Sequence, residues 1–198
     1  MFITIDGIDA TGKTTIAQQL YKHLKNQNDN VVLLRDPGTT VLAEKIRDIL
    51  KTTHTSAMEQ LYLFLAAKAS LTHEIIQYLE KGYTVISDRY IDSTFVYQGM
   101  LNNISPLTIQ KLGQYAYIPP DITFITKCNS SNILQRLLHR NDSDLIEKSL
   151  NQNKIEHMIQ CFERLPEIFP KRLYYFIDTN VSIEESLKQV ISYLHSFN

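Results

Sequence analysis

Short apolar, β-branched runs alternate along the chain with longer stretches in which apolar residues recur at helical spacing. Phe2-Ile3-Thr4-Ile5 reads as a buried strand that stops at Asp6-Gly7. From Thr14 the spacing changes, and Ile16, Leu20 and Leu24 fall on one face of a helix. Val31 to Leu34 predicts a second strand, followed by the turn signal Asp36-Pro37-Gly38. Leu42, Ile46 and Leu50 mark a short helix, and Ser56 with Glu59 forms a capping box opening a long helix that ends near Gly82. Thr84 to Ser87 predicts a third strand, ending in Asp88-Arg89 and followed by a helical region. Ile122 to Ile125 is the fourth, after which Ser130 or Ser131 caps a helix carrying Ile133, Leu134, Leu137 and Leu138. Residues 141–144 are polar and read as a mobile loop. Leu173 to Ile177 gives a fifth strand, and Ser182 with Glu185 caps a last helix through Leu187, Val190, Ile191 and Leu194.

Strands that alternate with helices build βαβ units, so the pattern predicts an α/β protein with a five-stranded parallel sheet and helices on both faces. At 198 residues the chain suits one domain, 1–198, and it shows no internal repeat or linker. Twenty basic residues face 21 acidic ones, and the net charge of −1 makes no electrostatic case for a nucleic-acid polymer or an anionic membrane. Cys128 and Cys161 share no CxxC spacing, which favours two unpaired thiols in a reducing compartment and leaves one disulfide as the alternative. No leader precedes the first strand and no apolar stretch reaches membrane length, so a cytoplasmic protein is expected. The six histidines lack metal-ligand spacing. Asn153-Lys154-Ile155-Glu156 carries the wrong acid for a guanine-reading motif and falls in a helical stretch.

Chemistry enters at Gly7-Ile8-Asp9-Ala10-Thr11-Gly12-Lys13-Thr14, which matches G-x-x-x-x-G-K-[ST] between a strand and a helix. Glycines let the backbone N–H groups curl around an anion, and the helix N-terminus adds a favourable dipole. Lys13 is expected to bridge the β- and γ-phosphates and the Thr14 hydroxyl to ligate Mg²⁺. Gly7, Asp9, Ala10, Thr11, Gly12, Lys13, Thr14 and Thr15 then form the ATP cradle. The fold expected is therefore of the P-loop NTPase type, in three layers. Asp88-Arg89-Tyr90 ends a different strand, and ligands in open α/β sheets bind beyond the strands' carboxyl ends. Asp88 there can hold Mg²⁺ or its water, and Arg89 can clamp a second phosphate; a surface ion pair is the plain alternative.

Six blocks extend the picture: G-I-D-A-T-G-K-T at 7–14, R-D-P-G-T-T at 35–40, F-L-A-A-K at 64–68, D-R-Y-I-D-S-T-F-V-Y-Q-G at 88–99, P-D-I-T-F at 120–124 and D-L-I-E at 144–147. In order and spacing they resemble the thymidylate kinase family over nearly the whole chain. The resemblance implies ATP and Mg²⁺ as donor and cofactor, dTMP as acceptor, dTDP and ADP as products, and a homodimer. It implies that Asp9 meets the sugar 3′-hydroxyl and the metal region, and that Arg35 and Arg89 hold the acceptor phosphate. Phe64 would stack on thymine, with Ser93, Tyr97 and Gln98 bordering base and sugar and Lys68 also on the substrate side. Packing is the alternative for Phe64 and Tyr97, and a helix cap for Ser93.

Several positions depart from that pattern. Asp36 stands for the usual glutamate, Thr39 for a glycine, Lys68 for an arginine and Lys127 for a common aspartate. Leu145 replaces an arginine of the expected lid around 140–147, and Ala10 occupies a P-loop position where some members carry arginine. Arg140 then becomes the expected lid cation, completing a catalytic set of Lys13, Asp88, Arg89 and Arg140, while Arg136 is expected to stay away from the phosphates. A kinase for another nucleotide or nucleoside, or a nucleotide-binding protein without turnover, are the rival readings.

Overall fold

Strands β1 (Phe2–Gly7), β2 (Val31–Arg35), β3 (Thr84–Asp88), β4 (Ile122–Lys127) and β5 (Tyr174–Asp178) form one sheet in the order β2-β3-β1-β4-β5. All four pairings are parallel, with Ile5 opposite Asp88 on one side and Phe124 on the other. The computed structural model describes residues 1–27, 30–138 and 151–197. Arg140, the loop expected at 141–144, Leu145 and the lid expected at 140–147 lie outside the described residues.

β1 is central and all six of its residues are buried, as a strand covered on both faces requires. One face carries α1 (Lys13–Lys25) and the last helix, where Ile16, Ala17, Leu20, Val190 and Leu194 pack on Ile3, Ile5, Ile86 and Phe124. The other face is covered by α3 (Ala57–Glu80), α4 (Ile91–Thr94) and a helix over Gln152–Glu163, through Leu61, Leu71, Ile75, Ile91, Met158 and Phe162. α2 (Val41–Thr52) lies against α3, with Ala43, Ile46 and Ala67 at the contact.

Local signals explain most boundaries. The Ser56–Glu59 capping box is formed in both directions, and α3 stops two residues before Gly82, whose φ is 79°. The Ser182–Glu185 box opens the last helix, Ile183–Phe197. α5 (Pro106–Leu112) starts at a proline, where the missing N–H costs nothing. One expectation is corrected: α6 (Ser130–Leu138) begins at Ser130 itself, whose hydroxyl donates to Glu156 on the helix over Gln152–Glu163, so Ser130 and Ser131 lie inside α6 instead of capping it. The helical region after Arg89 is also irregular. α4 passes into a π-helical turn over Phe95–Gly99 and a 3₁₀ turn over Met100–Asn102. Such turns re-aim side chains and recur at functional sites; this one carries Tyr97 and Gln98.

Cys128 and Cys161 are both free and buried. Among the described residues no helix is long and apolar enough to cross a membrane.

Candidate active site

The loop from Gly7 to Gly12 crosses the carboxyl end of β1 in the crevice where the strand order turns from β3 to β4. Its curl needs positive φ at three points: Gly7 at 137°, Ala10 at 63° and Gly12 at 95°. Gly7 admits no side chain, because a Cβ would stand 2.3 Å from Thr126 Oγ1 and 2.9 Å from its carbonyl oxygen. β4 therefore closes directly on the loop. Thr11, expected in the cradle, faces the same way: its hydroxyl donates to Ile8 O at 2.7 Å and lies 2.6 Å from Thr126 Oγ1. Its side chain braces the loop, and its backbone N–H also reaches Ile8 O, at 3.4 Å.

Lys13 is only 5% exposed, and its ammonium donates to Ile8 O at 2.5 Å across the mouth of the loop. Burial, and next the Arg89 charge, push its pKa down to about 7, against the opposing pull of Asp9, Asp88 and Asp6. Thr14 is exposed one residue on, and its hydroxyl donates to Asp88 Oδ2 at 2.6 Å. A P-loop hydroxyl and a strand-end carboxylate thus meet where Thr14 and Asp88 are expected to hold Mg²⁺. Among the described residues no cluster of three or more His, Cys, Asp or Glu side chains could hold a metal. Thr15, next in the chain after Thr14, is half-buried.

Arg89 is the centre of the second half of the site. Its backbone has φ 71°, uncommon for a residue with a side chain. The guanidinium donates to Gly7 O at 2.9 Å, to Ser93 Oγ at 2.8 Å and to Asp9 Oδ1, and it lies 5.4 Å from the centroid of the Tyr97 ring. Tyr97 donates to Asp9 Oδ2 at 2.8 Å, so one carboxylate joins Arg89 to Tyr97. Burial opposes the charge on Asp9, but Arg89, Lys13 and Tyr97 outweigh it and hold the carboxyl well below its usual range. In return Asp9 carries the Arg89 pKa upward against burial. Asp9, Arg89, Ser93 and Tyr97, proposed from separate blocks of sequence, are thereby brought together.

Arg35 is exposed at the end of β2. Burial of part of its side chain and the neighbouring Arg47 push its pKa down, Asp88 opposes this, and Arg89 adds to it. Arg35, Arg47 and Arg89 therefore share one electrostatic field, as a dianionic acceptor requires. Thr39 does not open the loop: its hydroxyl receives the Arg35 N–H at 2.8 Å and donates to the Arg35 carbonyl at 2.9 Å. Phe64 is half-buried, whereas Leu61, Leu65, Leu71 and Ile75 supply the core positions of α3. Gln98 is 3% exposed in the π turn.

Lys68 departs from expectation. It is 1% exposed, its ammonium is paired with the equally buried Asp36, and it lies 5.4 Å from the centroid of Tyr90. The two sequence departures at 36 and 68 therefore meet as one internal pair, and Lys68 presents almost no surface to a ligand. Arg136 is a correction too. It reaches the P-loop, donating to Ala10 O at 3.3 Å and to Thr179 O at 2.8 Å. Lys127 pairs with Glu163 at 2.5 Å.

Sequence reasoning missed Arg47 and Asp6. Arg47 sits on α2 with its guanidinium against the turn at Gly38, where a Cβ would stand 3.4 Å from Nη1. Nothing in the local pattern separates it from a solvated helix cation. Asp6 had a signal, a carboxylate inside an otherwise apolar strand.

A P-loop whose Thr14 faces the strand-end Asp88, and whose Gly7 carbonyl is bonded to Arg89 across the crevice, is the layout of a P-loop phosphotransferase. The family model described as Thymidylate kinase matches residues 5–190, and the chain belongs to the thymidylate kinase family. It is accordingly an enzyme, a nucleoside monophosphate kinase. The chain is 34% identical to a thymidylate kinase of Thermosipho africanus over 197 residues, covering 97% of this chain and 96% of the relative. With one of Chlamydia muridarum the identity is 35% over 201 residues, covering 96% and 98%. A solved thymidylate kinase from Ehrlichia chaffeensis superposes with a TM-score of 0.78 at 30% identity, covering 98% of each chain.

Proposed function

We propose that the two halves of the site carry out ATP + dTMP → ADP + dTDP, with residues 7–15 binding ATP and the Arg89 cluster binding dTMP. The observation that carries this reading is the Asp9–Arg89–Tyr97 assembly, hydrogen-bonded to the carbonyl of Gly7 in the P-loop itself. It holds the acceptor's cation against the donor's cradle. The nucleophile is a phosphate oxygen already ionised near neutral pH, so the protein's work is alignment and charge neutralisation. Lys13 leaves Ile8 O for the β- and γ-phosphates. Arg35, Arg47 and Arg89 neutralise and aim the acceptor phosphate, Phe64 stacks on the base, and Asp9 faces the sugar hydroxyl while orienting Arg89. Thr14 and Asp88 would hold Mg²⁺, which would supply neutralisation of the charge that develops during transfer.

The reading extends to assembly and place. Val41, Leu42 and Ile49 on α2 and Met58 and Tyr62 on α3 are 41–77% exposed. Apolar side chains at this density on neighbouring helices suit a self-complementary interface, so the enzyme is a homodimer through α2 and α3. Two free, buried thiols suit the cytoplasm. The decisive experiment is ADP release on mixing ATP and Mg²⁺ with dTMP, alongside dUMP, dCMP, dGMP and thymidine as alternative acceptors. dTMP-dependent ADP release is expected; its absence, or a better acceptor among the others, overturns the assignment.

A further inference from the structure

Asp6 is 0% exposed at the end of β1 and cannot touch a ligand, yet both its oxygens point at the segment that carries Arg89. Oδ2 accepts the N–H of Tyr90 at 2.9 Å, directly after Arg89, and Oδ1 accepts the hydroxyl of Ser93. Ser93 Oγ in turn accepts from Arg89 Nη1 at 2.8 Å. The N–H of Arg89 itself goes to Ile5 O at 2.9 Å. A single carboxylate thus holds both the backbone and the guanidinium of a residue whose φ of 71° needs outside support.

We propose that Asp6 is a positioning residue, fixing Arg89 for the acceptor phosphate through the Tyr90 N–H and the Ser93 hydroxyl. The proposal rests on Arg89 being the phosphate group of the acceptor site. Burial, and then the Asp92 charge on α4, push the Asp6 carboxyl up to about 6, while Ser93, Arg89 and Lys68 of α3 pull the other way. Lys13 on α1 and Tyr174 on β5 also feel its charge. A folded pKa above the unfolded 3.8 means that the ionised form is less favoured in the fold than in the open chain, so this charge does not stabilise the protein above pH 6. Its retention is explained by what it orients.

Asparagine has the same shape but one acceptor. Asp6→Asn can accept from Tyr90, but it must donate to Ser93, which reverses that bond and frees the serine hydroxyl to turn. The test compares dTMP with thymidine, which lacks the phosphate, by calorimetry and by competitive inhibition. Asp6→Asn is expected to weaken dTMP about tenfold, roughly the loss of one charge-assisted hydrogen bond. Thymidine should bind as before, with Tm near that of the wild type, and Asp6→Glu should recover most of the dTMP affinity, whereas ATP is no control because Lys13 also feels the Asp6 charge. The wild-type advantage over Asp6→Asn should also shrink as pH falls below about 6, since titration of the dTMP phosphate is common to both proteins and cancels. Unchanged dTMP affinity in Asp6→Asn, or an equal loss for thymidine, overturns the proposal. Should Asp6→Asn not fold, Ser93→Ala cuts the same link nearer the arginine and must weaken dTMP more than thymidine; equal effects overturn the proposal there as well. A wild-type protein that fails to bind dTMP instead refutes the functional reading, before any variant is compared.

Discussion

ATP binding should draw a proton onto the protein, and the amount can be worked out from Lys13. The free site holds this lysine at about 7 because burial and Arg89 disfavour its charge. A bound triphosphate supplies negative charge on the open side of the ammonium and restores full protonation. Near pH 8 a group with a pKa of about 7 is only about one-tenth protonated, so binding should take up roughly 0.9 proton. Near pH 6 the uptake should fall to about 0.1 by the same relation. Because protons are consumed, ATP affinity should fall as pH rises above about 7, by up to tenfold per unit. Calorimetric titration of a non-hydrolysable ATP analogue with Mg²⁺, in two buffers of different ionisation enthalpy, reads the uptake directly. Lys13→Arg stays charged throughout and should abolish the difference between buffers. No uptake near pH 8 in the wild type, or the same uptake in Lys13→Arg, would refute the reasoning.

Asp88→Asn should lower turnover far more than Tm, since it removes the carboxylate that receives the Thr14 hydroxyl; an unchanged rate and Mg²⁺ dependence would make Asp88 structural only. Phe64→Ala should raise KM for dTMP by about 10- to 100-fold, given about 1–3 kcal/mol for base–aromatic stacking. Equal losses for ATP would point to loosening of α3 instead. Arg140→Ala should reduce kcat strongly with little change in dTMP binding, as loss of a transition-state cation does. Arg136→Ala, which also breaks two contacts to the backbone at Ala10 and Thr179, should lower both kcat and ATP affinity; normal kcat in both variants would show that neither cation serves the transition state.

The sheet was legible because each strand is a short apolar run bounded by a turn or cap, and central strands tolerate few other patterns. The P-loop was legible because its glycines answer to backbone geometry that residues with a side chain rarely adopt. Boundaries were less so: α6 absorbs Ser130, and the irregular turns after Arg89 leave no periodic trace. Local pattern also did not show which charges face each other across the fold. Lys68 read as a substrate cation until Asp36, 32 residues away, proved to be its partner. Arg136 read as one more residue of an amphipathic helix, although its length lets it reach the loop after β1. Asp6 was visible as an oddity in its strand, but its role depends on Tyr90 and Ser93, more than 80 residues on.

The strand order has a consequence for how such an enzyme changes over evolutionary time. Arg35, Arg47, Phe64 and Arg89 all come from the β2–β3 side of β1, whereas Arg136 and Thr179 come from the β4–β5 side. The loop after β1 serves both sides, and Asp88 and Arg89 at the end of β3 reach it through Thr14 and Gly7. Substitutions around Arg35, Arg47 and Phe64 can therefore alter the acceptor side without touching the loop, whereas changes at Asp88 or Arg89 act on both sides. A graft of residues 35–68 alone between relatives, with the loop after β1 and Asp88 left in place, is therefore the exchange expected to move the choice of acceptor while sparing the use of ATP.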